Sequence, residues 1–314
     1  MSEERPSRRD FLKVAAMGAA VLPKGALASR GQSDCRTWKV GTSVGLSDTS
    51  SAEQFLALKR AGIEAVELVL KGVDRQRARQ AREWAEAAGI ELWSGHVPYA
   101  TDLDPSNPSE EERQEVVRQL RDLFDVYSLL GVKKLNIHAS SEITRPIPIL
   151  ERRARIASAR KSLATLADKA DSIEAQLAVE CLPRACLGNT SDEMLILLEG
   201  VASLGVTLDT NHIFQEKPEE FVRKLGSRIV NTHVADHDGI DERHWLPGNG
   251  VIDFVSIVLA LQDVGYLGPF MFECAGAPGE KIAVWKQLKE SVTLASAAGP
   301  AIWPARPSRD GGER

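Results

Sequence analysis

Three acidic residues of this chain stand where acids are costly. Glu180 in LAVECLP, Asp209 in VTLDTNH and Glu273 in FMFECAG each lie at the C-terminal end of an apolar run. A lone buried carboxylate is expensive enough that it usually takes up a proton. Three at equivalent points of successive runs call for a shared cation, and the runs holding them contain no Lys or Arg to supply it. His233, ending the run IVNTHVA, adds an imidazole to the group. Three carboxylates, one imidazole and no thiolate suit a divalent ion, with Mn, Co or Mg favoured and Zn or Fe accommodated. The histidines follow the same pattern. His96, His138, His212, His233, His237 and His244 make up all six, and each ends a β-rich run or sits in the loop after one. Three of them fall in the single polar stretch NTHVADHDGIDERHWLPGNG, from Asn231 to Gly250.

The elements that must position these groups can be read from periodicity. Eight β-rich runs, WKVGTSV, AVELVL, ELWSGHV, KKLNIHA, QLAVECL, GVTLDTN, IVNTHVA and PFMFECA, alternate with segments whose apolar residues recur every three or four positions. SAEQFLALKRAG, RQRARQAREWAEAAG and SEEERQEVVRQLRDLFDVYSLLG are the clearest of those segments. Ser109 and Ser191 suit helix N-caps, and Gly62, Gly89 and Gly131 suit helix stops. Eight strand-then-helix units without a break in composition predict one α/β domain, a (β/α)8 TIM barrel over residues 36–298. A doubly wound sheet is the alternative, and no GxGxxG follows the first strand to support it. In a barrel the chemistry collects at the carboxyl ends of the strands, where the acids and histidines fall. Glu67 in AVELVL sits earlier in its strand and reads as a structural interior acid.

The rest of the chain narrows the function. With 43% hydrophobic and 26% charged residues and a mean hydropathy of −0.20, the 314-residue composition is that of a globular protein rather than a disordered or membrane-embedded one. A net charge of −5 and a pI near 5.8 disfavour a nucleic-acid partner. At the N-terminus, SRRDFLK precedes a short apolar run ending in Ala26-Leu27-Ala28. This resembles a bacterial twin-arginine signal over residues 1–28, which implies periplasmic export of the folded protein; the run is too short and interrupted for a membrane span. Residues 299–314, rich in Pro, Arg, Gly and Asp, read as a mobile C-terminal tail. The four cysteines show no CxxC pair; free buried thiols are expected, with a disulfide involving Cys35 and Cys186 left open.

HVADHDGIDERHWLPGNGVIDF resembles the signature of the sugar phosphate isomerase/epimerase group within the xylose-isomerase-like TIM barrels, and the resemblance extends over the whole mature chain. It implies that Glu180, Asp209, His233 and Glu273 are metal ligands and that His212 binds substrate. It further implies an isomerase or epimerase of the ketose 3-epimerase or hydroxypyruvate isomerase type, acting on a carbohydrate or polyol through an enediolate. In that chemistry a divalent ion polarises the carbonyl while Glu180 and Glu273 move the proton as catalytic residues. His138 and His96 would orient substrate hydroxyls. The chain departs from the group's pattern at His237, Trp245 and Asn249, and Gly239 stands where ketose 3-epimerases carry a substrate-gripping arginine, with Arg243 nearby as a replacement. Export and the lack of a Gly-rich anion loop other than PGNG favour a free sugar over a phosphate ester. Self-association as a homo-oligomer is left open. Two other readings compete: an exported sugar- or metal-binding barrel without turnover, and an apurinic-endonuclease-like phosphodiesterase whose zinc cluster His96, His138 and Glu180 would begin.

Overall fold

A computed structural model describes residues 33–298; the expected signal segment and the tail from residue 299 lie outside the described residues. Eight parallel strands carry the fold: β1 (Val40–Leu46), β2 (Ala65–Leu70), β3 (Glu91–His96), β4 (Lys134–Ile137), β5 (Gln176–Glu180), β6 (Gly205–Asp209), β7 (Ile229–His233) and β8 (Phe270–Phe272). Each is followed by a helix: α1 (Ala52–Ala61), α2 (Arg75–Ala88), α3 (Glu110–Leu130), α4 (Ile149–Ser172), α5 (Ser191–Leu198), α6 (Pro218–Leu225), α7 (Phe254–Asp263) and α8 (Pro278–Ala298). The strands run in chain order around the sheet, with β1 returning to pair with β8. This is the (β/α)8 barrel that the alternation of runs predicts.

The seam between β7 and β8 closes with side-chain help. The Val234 N–H donates to Met271 O at 2.8 Å and the Glu273 N–H to Val234 O at 3.1 Å. One turn lower, the Thr232 hydroxyl donates to Pro269 O at 3.1 Å and accepts from the Met271 N–H at 3.2 Å. A hydroxyl therefore stands in for the ladder bond that the short β8 does not reach, and no buried backbone group at Met271 is left unpaired.

Helix punctuation follows local chemistry. Gly62, Gly89 and Gly131 end α1, α2 and α3 in the left-handed conformation, with φ of 100°, 66° and 76°. Ser109 caps α3 as its sequence context predicts. At α5 the cap is Thr190 rather than Ser191: the Thr190 hydroxyl accepts from the Glu193 N–H at 3.3 Å, while the Ser191 N–H and hydroxyl both donate to Glu216. Two adjacent hydroxyl residues made either one a plausible cap, and the partner on the next loop decided between them.

The helices bury one face each against the barrel. On α2 that face is Ala78, Ala81, Ala85 and Ala88, small enough for close approach; on α3 it is built of Val116, Leu120, Phe124, Tyr127 and Leu130 among others. Burying each of the larger side chains contributes roughly 1.5–3 kcal/mol. Tyr127 also reaches the site: its ring packs where a Cβ on Gly95 would come within 2.2 Å, and its hydroxyl donates to the carbonyl of His96. Glycine at position 95 is what lets a helix hold the end of β3 this way. All four cysteines are free among the described residues, and three are buried. Cys181 bridges strands, its Sγ accepting from the Asp209 N–H at 3.2 Å, and Cys186 accepts from the Ile143 N–H at 3.1 Å.

Candidate metal centre and active site

Glu180, Asp209 and His233 are the last residues of β5, β6 and β7, and Glu273 follows β8. Asp209 and His233 are register partners across β6 and β7. One ligand atom from each of the four side chains lies within 4.8 Å of all the others. The His233 Nδ1 faces this centre, 2.9 Å from Glu273 Oε2, 3.3 Å from Glu180 Oε1 and 4.0 Å from Asp209 Oδ2.

The other imidazole nitrogen explains Glu67. His233 Nε2 lies 2.7 Å from Glu67 Oε1, and both side chains are fully buried. Glu67 Oε2 accepts from the Ser94 hydroxyl at 2.7 Å and from Asn231 Nδ2 at 3.2 Å, and Asn231 in turn accepts from Trp93 Nε1. The interior acid thus stands at ion-pair distance behind a histidine, although neither Glu67 Oε1 nor His233 Nε2 makes a properly directed hydrogen bond, and a carboxylate in this place is the kind that raises the basicity of a ligating imidazole. The sequence shows the acid inside its strand but not the partner, which depends on how β2, β3 and β7 come together across the barrel.

The charge balance of the cluster fits a divalent ion. Burial, reinforced by Glu273 and Glu180 against the pull of His212, pushes Asp209 well above its ordinary value. Burial pushes Glu180 upward too, but His233 and His138 outweigh it and hold the carboxyl well below the usual range. Glu273, similarly opposed by burial, is drawn down to about 2 by His233. Burial would lower the histidines, yet Glu180 raises His96 to about 9, and Asp209 with Glu180 raises His212 to about 10. With protons as the only cations, several imidazoles and a carboxyl must charge or neutralise to hold the acids together. Asp209 Oδ2 is buried and accepts no hydrogen bond. A buried acceptor of this kind beside two more carboxylates and an inward-facing imidazole nitrogen is a donor set that one divalent ion satisfies.

The remaining histidines divide by position. His96 Nε2 and His138 Nε2 approach Glu180 Oε2 at 3.4 and 3.2 Å, and Tyr99 stacks on His138 with ring centroids 4.3 Å apart. His212 Nδ1 lies 3.1 Å from Asp209 Oδ2, and His244 sits against the Glu273 carbonyl at 3.0 Å. His96, His138, His212 and His244 all line a cavity of about 260 Å³ whose wall also includes Glu180 and Glu273. Three further groups of ligand atoms gather within 4.8 Å: Glu67, His96, His233 and Glu273; His96, His138 and Glu180; and His212, Glu242 and His244.

The polar loop after β7 is built around Asp236, whose carboxylate accepts from the N–H groups of His237, Gly248, Gly250 and Ile252 at 2.8–3.2 Å. A Cβ on Gly250 would come within 2.1 Å of the His237 carbonyl, so the glycines of PGNG serve this close clasp. His237 is a support rather than a site residue: it stacks on Phe214 at 4.4 Å and accepts from the Gly239 N–H at 2.9 Å. Arg243, expected at the substrate, is paired within its own loop. Its Nε donates to Asp238 at 2.6 Å, an ion pair five residues back that captures the side chain, and it is not among the cavity-lining residues. The cavity-lining guanidinium belongs instead to Arg184, in the loop after β5. Arg184, Tyr99 and Glu242 escaped the sequence reading because loop residues carry no apolar frame to mark the direction they face.

Residues 55–292 match the family described as the xylose isomerase-like TIM barrel. An uncharacterised protein of Methanocaldococcus jannaschii is 28% identical over 189 residues, covering 57% of this chain and spanning 62% of that protein's length. A ketose 3-epimerase of Arthrobacter globiformis is 27% identical over 247 residues, covering 73% of this chain and 81% of the epimerase. Among solved structures, a D-tagatose 3-epimerase-like protein superimposes with a TM-score of 0.70 at 24% identity, over 81% of this chain and 99% of that one, which speaks for the shared fold. The match spans the strands that bear the acids and the loop that Asp236 clasps, and the chain belongs to the xylose isomerase-like TIM barrel family.

Proposed function

We propose that the protein is a metal-dependent isomerase or epimerase of a small carbohydrate or polyol. One observation carries the reading: the carboxylates of Glu180 and Glu273, which join Asp209 and His233 in a single cation-binding group, also form part of the wall of a substrate-sized cavity. The ketose 3-epimerase among the relatives supports the same chemistry. Glu180, Asp209, His233 and Glu273 would hold the ion, and when bound it supplies Lewis-acid polarisation of a substrate carbonyl. One of Glu180 and Glu273 removes the proton from the carbon beside that carbonyl, leaving an enediolate, and the other returns a proton. Return to the opposite face inverts the carbon; return to the former carbonyl carbon, with the hydroxyl proton passing from one enediolate oxygen to the other, moves the carbonyl. His96, His138 and His212, which line the cavity, hydrogen-bond the substrate hydroxyls, and Tyr99 offers an aromatic face to its C–H surface. The test is to incubate protein loaded with Mn or Co with ketoses, inososes and hydroxypyruvate in heavy water. A substrate acquires deuterium beside its carbonyl; binding without exchange across the panel would overturn the reading.

A second reading is favoured by two of the additional ligand groups, His96 with His138 and Glu180, and His212 with Glu242 and His244. Filled together with the first, they would make a multi-metal site suited to holding both oxygens of a phosphodiester displacement. Metal stoichiometry separates the two. One ion per chain with deuterium exchange supports the isomerase, whereas about three ions per chain with nicking of abasic DNA supports the phosphodiesterase.

A further inference from the structure

The cavity has two ends of different chemistry. Its floor carries the acids and histidines above, and its mouth is spanned by one guanidinium. Arg184 Nη1 lies 2.8 Å from Glu242 Oε1 and 3.4 Å from Glu142 Oε1, and its Nη2 lies 3.1 Å from Asp241 Oδ1. These partners come from the loops after β4 and β7, so one side chain ties three loops together. Arg184, Glu142 and Glu242 all line the cavity.

The position of Arg184 is built into the fold. Its φ of 55° is left-handed, a conformation that costs a residue with a side chain about 1–3 kcal/mol and persists where the surroundings impose it. The surroundings do so here: the Ala185 N–H donates to Ile143 O at 3.1 Å, and Asn189 Nδ2 donates to the Arg184 carbonyl at 2.7 Å. Leu182, Ala185 and Cys186 pack with Ile143 in a small apolar cluster beneath. The guanidinium is also the single Lys or Arg side chain among the residues lining the cavity, against the carboxylates of Glu142, Glu180, Glu242 and Glu273. Its charge is already matched by Glu142, Asp241 and Glu242. Glu242 Oε1 is buried and, despite the close guanidinium, accepts no properly directed hydrogen bond.

We propose that Arg184, Glu142 and Glu242 form a distal subsite that binds the hydroxyls of an uncharged substrate and rejects a phosphorylated one. Fixed donors beside fixed acceptors suit hydroxyl groups, each of which both gives and takes a hydrogen bond. A phosphate group offers acceptors and negative charge, and would meet Glu142 and Glu242 at like-charge distance. The inference rests on the isomerase reading for its substrate class, and the experiment separates the two.

Steady-state kinetics on a free ketohexose and on its 6-phosphate give the first arm. Arg184→Gly tolerates the left-handed backbone, so the turn after β5 keeps its conformation while the side-chain tie to Glu142, Asp241 and Glu242 is lost. It raises KM for the free sugar roughly ten-fold or more, with a smaller change in kcat, and Arg184→Lys restores little because it lacks the planar fork. An unchanged KM in Arg184→Gly, or a wild type that prefers the 6-phosphate, overturns the proposal. The second arm needs no turnover: binding of inorganic phosphate to the metal-loaded protein, measured by calorimetry. Paired substitution Glu142→Gln with Glu242→Gln leaves the guanidinium under-compensated and tightens phosphate about ten-fold over wild type, and adding Arg184→Gly abolishes that gain. Equal or weaker phosphate binding in the paired variant overturns the subsite. If wild type exchanges no deuterium with any sugar, the isomerase reading falls and the phosphate arm alone decides this one.

Discussion

On the proposed reading Glu180 and Glu273 both hold the ion and move the proton, so their amides should separate from the native protein first in turnover. Glu180→Gln or Glu273→Gln keeps size and most hydrogen bonding while removing the proton acceptor. Each is expected to lower deuterium exchange by about 10²–10⁴-fold in the metal-loaded protein, the usual worth of a placed general base. Stopped or slowed incorporation read by NMR checks this, and exchange within a few-fold of wild type would remove that residue from the proton-transfer pair. Glu67 tests the orienting carboxylate instead. Since Glu67 Oε1 lies 2.7 Å from the far nitrogen of His233, Glu67→Gln is expected to weaken divalent-ion affinity about 10–100-fold in a competition titration, although Glu67 is not one of the four proposed ligands. At this scale the sequence was legible for the acids, because an acid at the end of an apolar run is conspicuous. It was not legible for Arg184 or Arg243: two arginines in polar loops look alike until Asp238 claims one and the β5 loop aims the other.

At the scale of elements, the loop after β7 is the part whose sequence and structure agree most closely in purpose. Asp236 gathers four N–H groups, which requires glycine where the chain passes closest. Gly250→Ala drives a methyl into the His237 carbonyl and the Asp236 carboxylate, so the clasp must open. The expected result is faster proteolysis within residues 236–252 and a raised KM, with global thermal stability falling by only the few degrees that about 1–3 kcal/mol of local overpacking brings. An unaltered proteolysis pattern would mean that the loop does not depend on this approach. The helix stops at Gly62, Gly89 and Gly131 were readable because the left-handed end of a helix selects glycine. The cap at Thr190 and the closure of β7 on β8 through Thr232 were not, since each depends on a partner from another part of the chain.

For the molecule as a whole, the proposed metal site is expected to couple stability to pH and to metal. In chelated protein His96 and His212 titrate near 9 and 10, above the ordinary 6.5, so their contribution is fully present below about pH 6.5 and is lost as pH rises through those values. Glu273, lowered to about 2 from 4.5, contributes above the higher value and loses its share only as pH falls through the lower one. A divalent ion bound as proposed would replace the protons that hold the acids together, so the gain in Tm on adding Mn or Co is expected to widen from about pH 6.5 to about pH 9, with protons released on binding. Thermal melts with and without chelator check it, and a gap that stays flat or narrows over that range would contradict the assignment. The sequence by itself determined the barrel and the level at which its chemistry sits, because strand and helix periods are local and because an acid in an apolar run needs a counter-charge wherever the run folds. Only the tertiary structure decided that Glu67 backs His233, that His237 supports a loop while His244 joins the cavity, and that Arg184 rather than Arg243 lines it. Those outcomes turn on distances between residues far apart in the chain, which the closure of eight strands sets and which no local pattern encodes.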